Sequence, residues 1–241
     1  MNKGEGGAVD VTPAKSGKEE ARTTARAAAA ARRKAREQDI LAATRRLFDA
    51  GGMRDAQIED IARAVGVNRA IIYRHFTGKE ELFALTLVGY LDELAERMSR
   101  ASASTTDAPA RLSALVGAFV DFGVEYPAFI DCAQTLMRRT GPELLDEISE
   151  GAMLRLGRSM TACLTQISDV LDDGVAAGDF RHVDSVVLAN HMYASGLGAL
   201  QLARLGMLVT ESSPGMPMMT PLDPEQVKKY LVASARALAT S

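Results

Sequence analysis

Tryptophan is absent from this 241-residue chain, aromatic residues make up only 5% of it, and it carries two cysteines and three histidines. Cys132 and Cys163 lie in apolar stretches without a CxxC spacing, which excludes a disulfide-stapled scaffold. They read as buried core thiols in a reducing compartment, a redox pair being the alternative. His75, His182 and His191 pair with no cysteine or carboxylate at metal-ligand spacing on one helix face. A phosphate-cradling glycine loop and a Ser/His/Asp constellation are both missing, so the expectation is no enzyme, no metal and no cofactor. No uninterrupted apolar run is long enough to span a bilayer, and the N-terminus lacks the apolar core of a secretion signal. No membrane partner is expected, and the expected location is the cytoplasm. The alternating pattern of β-strands is missing too, so the expected fold is all-helical.

The chain is 47% hydrophobic, enough for a sizeable core, and its formal net charge is −3. The charge is unevenly distributed. Residues 1–85 hold 16 Lys and Arg against 12 Asp and Glu, whereas residues 86–241 hold 12 against 19. An electropositive end on an acidic body suits a protein that docks one end on DNA.

The segment Ile40–Phe83 carries most of the functional information. Ile40, Ala43, Thr44, Leu47 and Phe48 repeat at i, i+3, i+4, i+7 and i+8, one face of a helix that Gly51 and Gly52 end. Ile58, Ile61, Ala62 and Val65 form the apolar face of a short second helix, and Gly66 makes a tight turn. Asn68 is placed to cap a third helix over about Arg69–His75, with Ile71 and Ile72 inward and Phe76 closing it. Helix, glycine turn, short helix is helix-turn-helix geometry, here over about 57–76. The first turn of the third helix would enter the major groove, so Asn68, Arg69 and Ala70 are the candidates for base edges. Arg69 has the fork to read guanine, and Ala70 is small enough to touch a thymine methyl. Tyr73, Arg74 and His75 are placed for phosphates. Lys79 opens a fourth helix, where free N–H groups and the positive helix end would also meet a phosphate.

ILAA…LF, DIARAVGVN, IIYRHF and KEELF, as they stand between Ile40 and Phe83, resemble the N-terminal domain of the TetR family of bacterial transcriptional repressors. The resemblance covers about a fifth of the chain. It implies that Arg69, Tyr73, His75 and Lys79 sit at the family's DNA-contact positions. One departure is that Ala56–Gln57 stand where many members carry a Ser/Thr pair, leaving Asp55 to cap the second helix. The resemblance also implies that the last two helices pair with those of a symmetry mate, giving a homodimer on a palindromic double-stranded operator.

Three domains are expected: a disordered tail over 1–27, a helix-turn-helix domain over 28–83, and a helical ligand-binding and dimerisation domain over 84–241. Arg32, Arg33, Lys34 and Arg36 form a basic arm just before the head, either a solvated helix extension or an added DNA contact. In the body, helices are expected over about 79–100, from Leu112, from Pro127, over 142–175 with a break near Gly151 or Gly157, over 185–207 and over 224–238. ESSPGMPMMTPLDPE reads as a loop between the last two. Gly196, Gly198, Ala199, Ala203 and Gly206 would allow close helix approach.

Phe119, Phe122, Phe129, Met137, Met153, Met160, Leu164, Met192 and Tyr193 fall on inward-leaning stripes and are the candidate effector-pocket residues. Met and Phe at helical spacing also simply build cores. With Arg138 and Arg139 beside them for an anionic head group, they suggest a small apolar effector such as a long-chain acyl-CoA or fatty acid. Asp121, Glu125 and Asp131 keep a cationic drug, and so an efflux-gene repressor, as an alternative. The functional expectation is a repressor released from its operator by such an effector; the rival is a ligand-independent architectural DNA-binding protein.

Overall fold

The computed structural model describes residues 14–52 and 57–240, with side chains from residue 19 onward. The first helix, α1, runs Ala14–Gly51 and spans about 57 Å at the α-helical rise. Its C-terminal third packs through the predicted stripe: Ile40, Ala43, Thr44 and Phe48 are all buried. Residues 19–36 are exposed throughout. The expected tail over 1–27 is thus corrected in part, since the helix already covers 14–27; Ala, Arg, Lys and Glu, all good helix formers, make up most of this stretch.

Helix α2 (Ile58–Val65) starts at Gln57, whose N–H donates to the Asp60 carboxylate at 3.3 Å. The expected cap, Asp55, lies outside the described residues. Gly66 ends α2 at φ 71°, a left-handed conformation natural to glycine, and its N–H donates to Ala62 and Arg63 carbonyls. Helix α3 (Arg69–His75) begins at Asn68, whose side chain accepts the Ile71 N–H at 3.1 Å. Ile58, Ile61, Ala62, Ile72 and Phe76 close a small core against α1. Helix α4 (Lys79–Ala103) leaves this head and enters the body, and Phe83 stacks edge-on against Phe48 at 5.2 Å.

The body contains α5 (Ala108–Glu125), α6 (Pro127–Met137), α7 (Gly141–Glu147), α8 (Glu150–Ala177), α9 (Ser185–Leu205) and α10 (Pro224–Thr240). Asp107, Ser149 and Asp184 cap α5, α8 and α9 by accepting N–H groups. The break in the 142–175 stretch falls between Glu147 and Glu150, earlier than expected, because Ser149 starts a new helix; Gly151 and Gly157 lie inside α8. Helix α4 runs through the centre, packed on α8 and α5, while α9 and α10 cover the far side. Tyr90, Phe122 and Phe129 form its aromatic heart.

The expected loop between α9 and α10 is instead an antiparallel hairpin, β1 (Met207–Ser213) with β2 (Met216–Pro221). Gly215 turns it at φ 78° and donates its N–H to the Glu211 carboxylate. The fold is otherwise helical, an N-terminal helix-turn-helix followed by a helical body. Among the described residues no single helix is long and apolar enough to cross a membrane.

Candidate nucleic-acid interface and interior cavity

The outer face of α3 is built by its own packing. Ile72 and Phe76 point into the head and are almost fully buried, which turns Arg69, Ala70, Tyr73 and Arg74 outward, all exposed. Arg69 donates to the Glu59 carboxylate at 2.7 Å and to the Tyr73 hydroxyl at 3.2 Å, and lies over the Tyr73 ring at 5.2 Å. This ion pair is exposed on both sides, so it orients the guanidinium at little cost to its release. Asn68 is committed through Oδ1 to capping α3, leaving its amide N–H groups for other partners.

His75 is half-buried, and its Nδ1 is buried with no hydrogen-bond partner among the described residues. Burial pushes its pKa down, and Arg33 adds to this, as do Arg74 and Arg36 against an opposing pull from Glu37. Lys79 sits in the first turn of α4 after an extended Gly78, its ammonium 5.1 Å from the Phe83 ring centre. Arg69, Ala70, Tyr73, Arg74, His75 and Lys79 are thus carried by α3 and the start of α4.

Two sets of contacts fasten the head to the body. Glu81, buried at the start of α4, accepts hydrogen bonds from Thr77 N and Ser149 Oγ. Burial pushes its carboxyl up, but these hydrogen bonds more than offset that and its pKa is lowered. Thr77 Oγ1 also donates to the Glu147 carbonyl at 3.1 Å, and Arg155 pairs with Glu37. The second set starts at Arg45, off the apolar stripe of α1. It pairs with Glu93 and covers the Tyr90 ring at 4.2 Å, and Glu93 in turn holds Arg97, which binds Glu125. Tyr90 donates to Asp49 at 2.6 Å. Arg45 and Asp49 fall between the stripe positions of α1, and their pairing with residues on α4 has no local signal in the sequence.

In the body, α5, α8, α9 and α10 enclose an apolar cavity of about 50 Å³. Leu115, Val116 and Phe119 come from α5, Cys163, Leu164 and Ile167 from α8, and Met192, Tyr193, Ser195 and Gly196 from α9. Leu231, Ser234, Ala235 and Leu238 of α10 close it. None of these is charged. Ser195 Oγ turns back onto the His191 and Met192 carbonyls, whereas the Tyr193 hydroxyl has no hydrogen-bond partner among the described residues. Cys163 donates to the Leu91 carbonyl, and burial pushes its thiol up to about 12. Cys132 is buried as well, and the two cysteines are not joined in a disulfide.

Four of the nine expected pocket residues line this cavity: Phe119, Leu164, Met192 and Tyr193. The other five do not. Phe122 and Phe129 fill the aromatic centre of the core, Met153 and Met160 are only half-buried along α8, and Met137 is 57% exposed. The arginines offered for an anionic head group are also placed elsewhere. Arg138 and Arg139 follow the end of α6, which contributes nothing to the cavity, and Arg139 is engaged by Glu147 at 2.7 Å and Glu80 at 3.5 Å. The three carboxylates offered for a cation are each paired: Asp121 with Lys228, Glu125 with Arg97, Asp131 with Arg204.

Gly196 is the small residue of α9 that serves a close approach within the chain. A Cβ on Gly196 would stand 2.7 Å from Phe119 Cε1, so α9 lies close on α5 only because that side chain is missing. Gly198 faces open space, and Gly206 ends α9 at φ 69°.

The family described as "Bacterial regulatory proteins, tetR family" matches residues 40–86, the head and the start of α4. The HTH-type transcriptional activator FasR of Mycolicibacterium smegmatis is 36% identical over 87 residues, which span 36% of this chain and 40% of that protein. The HTH-type transcriptional repressor KstR2 of Rhodococcus jostii is 30% identical over 154 residues, 64% of this chain and 72% of the repressor. Among solved structures, a tetR-family regulatory protein from Rhodococcus RHA1 superposes with a TM-score of 0.61 at 18% identity, over 85% of this chain and 97% of that one.

Proposed function

The chain belongs to the TetR family of bacterial regulatory proteins, and on that basis we propose that it is a homodimeric transcriptional repressor released from its operator by a small, mostly apolar effector. The observation that carries the proposal is the pairing of an outward-facing α3 with an uncharged cavity enclosed by α5, α8, α9 and α10. Repression is favoured over activation because the match to the repressor extends well into the body, whereas the match to the activator spans 40% of its length.

Arg69 and Ala70 take the base-edge positions in the major groove. Tyr73, Arg74, His75 and Lys79 hold phosphates and fix register, and Asn68 chiefly orients α3. The effector fills the apolar cavity and gives its one polar group to the Tyr193 hydroxyl. An acyl chain suits such a lining, whereas an acyl-CoA head group finds no cation in it, so a fatty acyl group without the nucleotide is the better fit.

Regulation follows from size. The cavity, about 50 Å³, is well below the roughly 300–1,000 Å³ that encloses a drug-sized ligand. An effector therefore binds best to a conformation in which α9 and α10 have moved away from α5 and α8. Only that difference in affinity can shift the spacing of the two recognition helices. The test is fluorescence anisotropy of a duplex taken from upstream of the protein's own gene, first with protein, then with added fatty acid or acyl-CoA. Specific binding reversed by fatty acid is expected. Binding that no apolar compound reverses sinks the effector proposal, and loss of the response in Gly196→Ala, with DNA binding intact, would place the effector beside Phe119.

A further inference from the structure

The exposed N-terminal part of α1 presents a one-sided basic stripe. Arg22, Arg26, Arg33 and Arg36 stand at i, i+4, i+11 and i+14, which an α-helix gathers into an arc of about 80°. Ile40 stands at i+18 and Leu47 at i+25, which bring them back onto the same arc. The face that carries these arginines is therefore the face that, further along, packs on the head. Among the described residues Arg22, Arg26, Arg32 and Arg33 have no ion-pair partner, and Arg36 has only Asp39 at 3.9 Å. Glu19 and Glu37 border the stripe, and Glu37 turns to Arg155 of α8.

The stripe also has a fixed direction. Arg33 and Arg36 are near enough to His75, at the end of α3, to act on its charge. The part of α1 that carries Arg33 and Arg36 thus lies beside the end of the recognition helix. No residue of the body covers it, and positions 19–36 are exposed all round.

From this juxtaposition we infer that the N-terminal part of α1 is a second DNA-contact element, laying Arg22, Arg26, Arg33 and Arg36 along the phosphates that flank the site read by α3. The inference rests on the DNA-binding reading above. The stripe extends over about 21 Å of helix, the length of some six base pairs. It carries no base-reading geometry, so its contribution is independent of sequence and acts through counterion release.

The experiment compares the full chain with the variant R22Q/R26Q/R33Q/R36Q and with Lys79→Ala, on a mixed-sequence duplex of 30 base pairs over a range of salt. Gln is nearly as good a helix former as Arg, so circular dichroism should be unchanged. Each phosphate contact adds about 0.9 to the slope of log affinity against log salt. The fourfold variant should lose about 2 to 4 in slope, and Lys79→Ala about 1. A fourfold variant whose slope matches the parent overturns the inference while leaving the head as a DNA-binding unit. A parent that binds no duplex at any salt overturns both.

Discussion

At the scale of single residues, the head divides into side chains that can read sequence and side chains that only hold. Arg69 is pre-oriented by Glu59 and Tyr73 and can present its fork to a guanine, whereas Lys79 is a point charge at a helix start. Arg69→Ala should weaken the operator complex by about 1–3 kcal/mol and relax the preference at one base pair. Lys79→Ala should weaken all duplexes alike. Competition binding with single-base operator variants separates the two, and a uniform loss in both would demote Arg69 to a phosphate contact. His75 adds a pH dependence. Its pKa is held low by burial first, so the ring is neutral in the free protein at pH 7. A phosphate beside it would restore the proton, so DNA affinity should rise as pH falls through the range below about 6.5 at fixed ionic strength. Stability of the free protein should move the opposite way there: the unfolded chain binds the proton more readily, so stability falls as pH falls. His75→Gln should flatten both curves, and a parent curve that is already flat for DNA would remove His75 from the interface.

At the scale of elements, the joints between head and body are where contacts replace periodicity. Glu81 ties the start of α4 to Ser149, which also caps α8. Glu81→Ala leaves the Thr77 N–H and the Ser149 hydroxyl without their acceptor and should cost about 1–3 kcal/mol in urea unfolding. With Ser149→Ala as the second arm, a coupling energy above about 0.5 kcal/mol would establish the joint, and simple additivity would dissolve it. Such joints were illegible in the sequence, since residues 68 apart share no local pattern. The elements themselves were legible wherever a 3.6-residue stripe met a capping residue, as at Asn68, Asp107 and Asp184. The hairpin was hidden because Pro217, Pro221 and the methionines mask strand alternation. The outward face of α3 followed from one short stretch of chain. The cavity did not: a stripe says that Phe122 and Phe119 both point inward, but only tertiary packing decides that one fills the core and the other borders a void.

At the scale of the whole molecule, one chain has apolar surface that nothing in it covers. The paired positions Met207/Pro221 and Val209/Met219 fall on one face of the hairpin, and Val209 and Met219 are 73% and 62% exposed. Leu205 at the end of α9 and Tyr230 on α10, the helices either side of the hairpin in the chain, are 61% and 76% exposed. A two-stranded hairpin alone is marginal in water, and apolar surface of this kind on a folded chain is the mark of an interface. In the proposed homodimer this surface is covered by a second copy, and the two heads act as one bivalent reader. Leu205→Glu with Tyr230→Glu should therefore give a monomer in analytical ultracentrifugation while helicity is retained. Its affinity for a duplex with a single half-site should match the parent's. On a duplex with two half-sites it should lose the factor of about 10²–10⁴ that linking two sites provides. A variant that stays dimeric would move the interface off this face. A monomer that still binds the two-site duplex as tightly as the parent would show that operator recognition does not use the pairing.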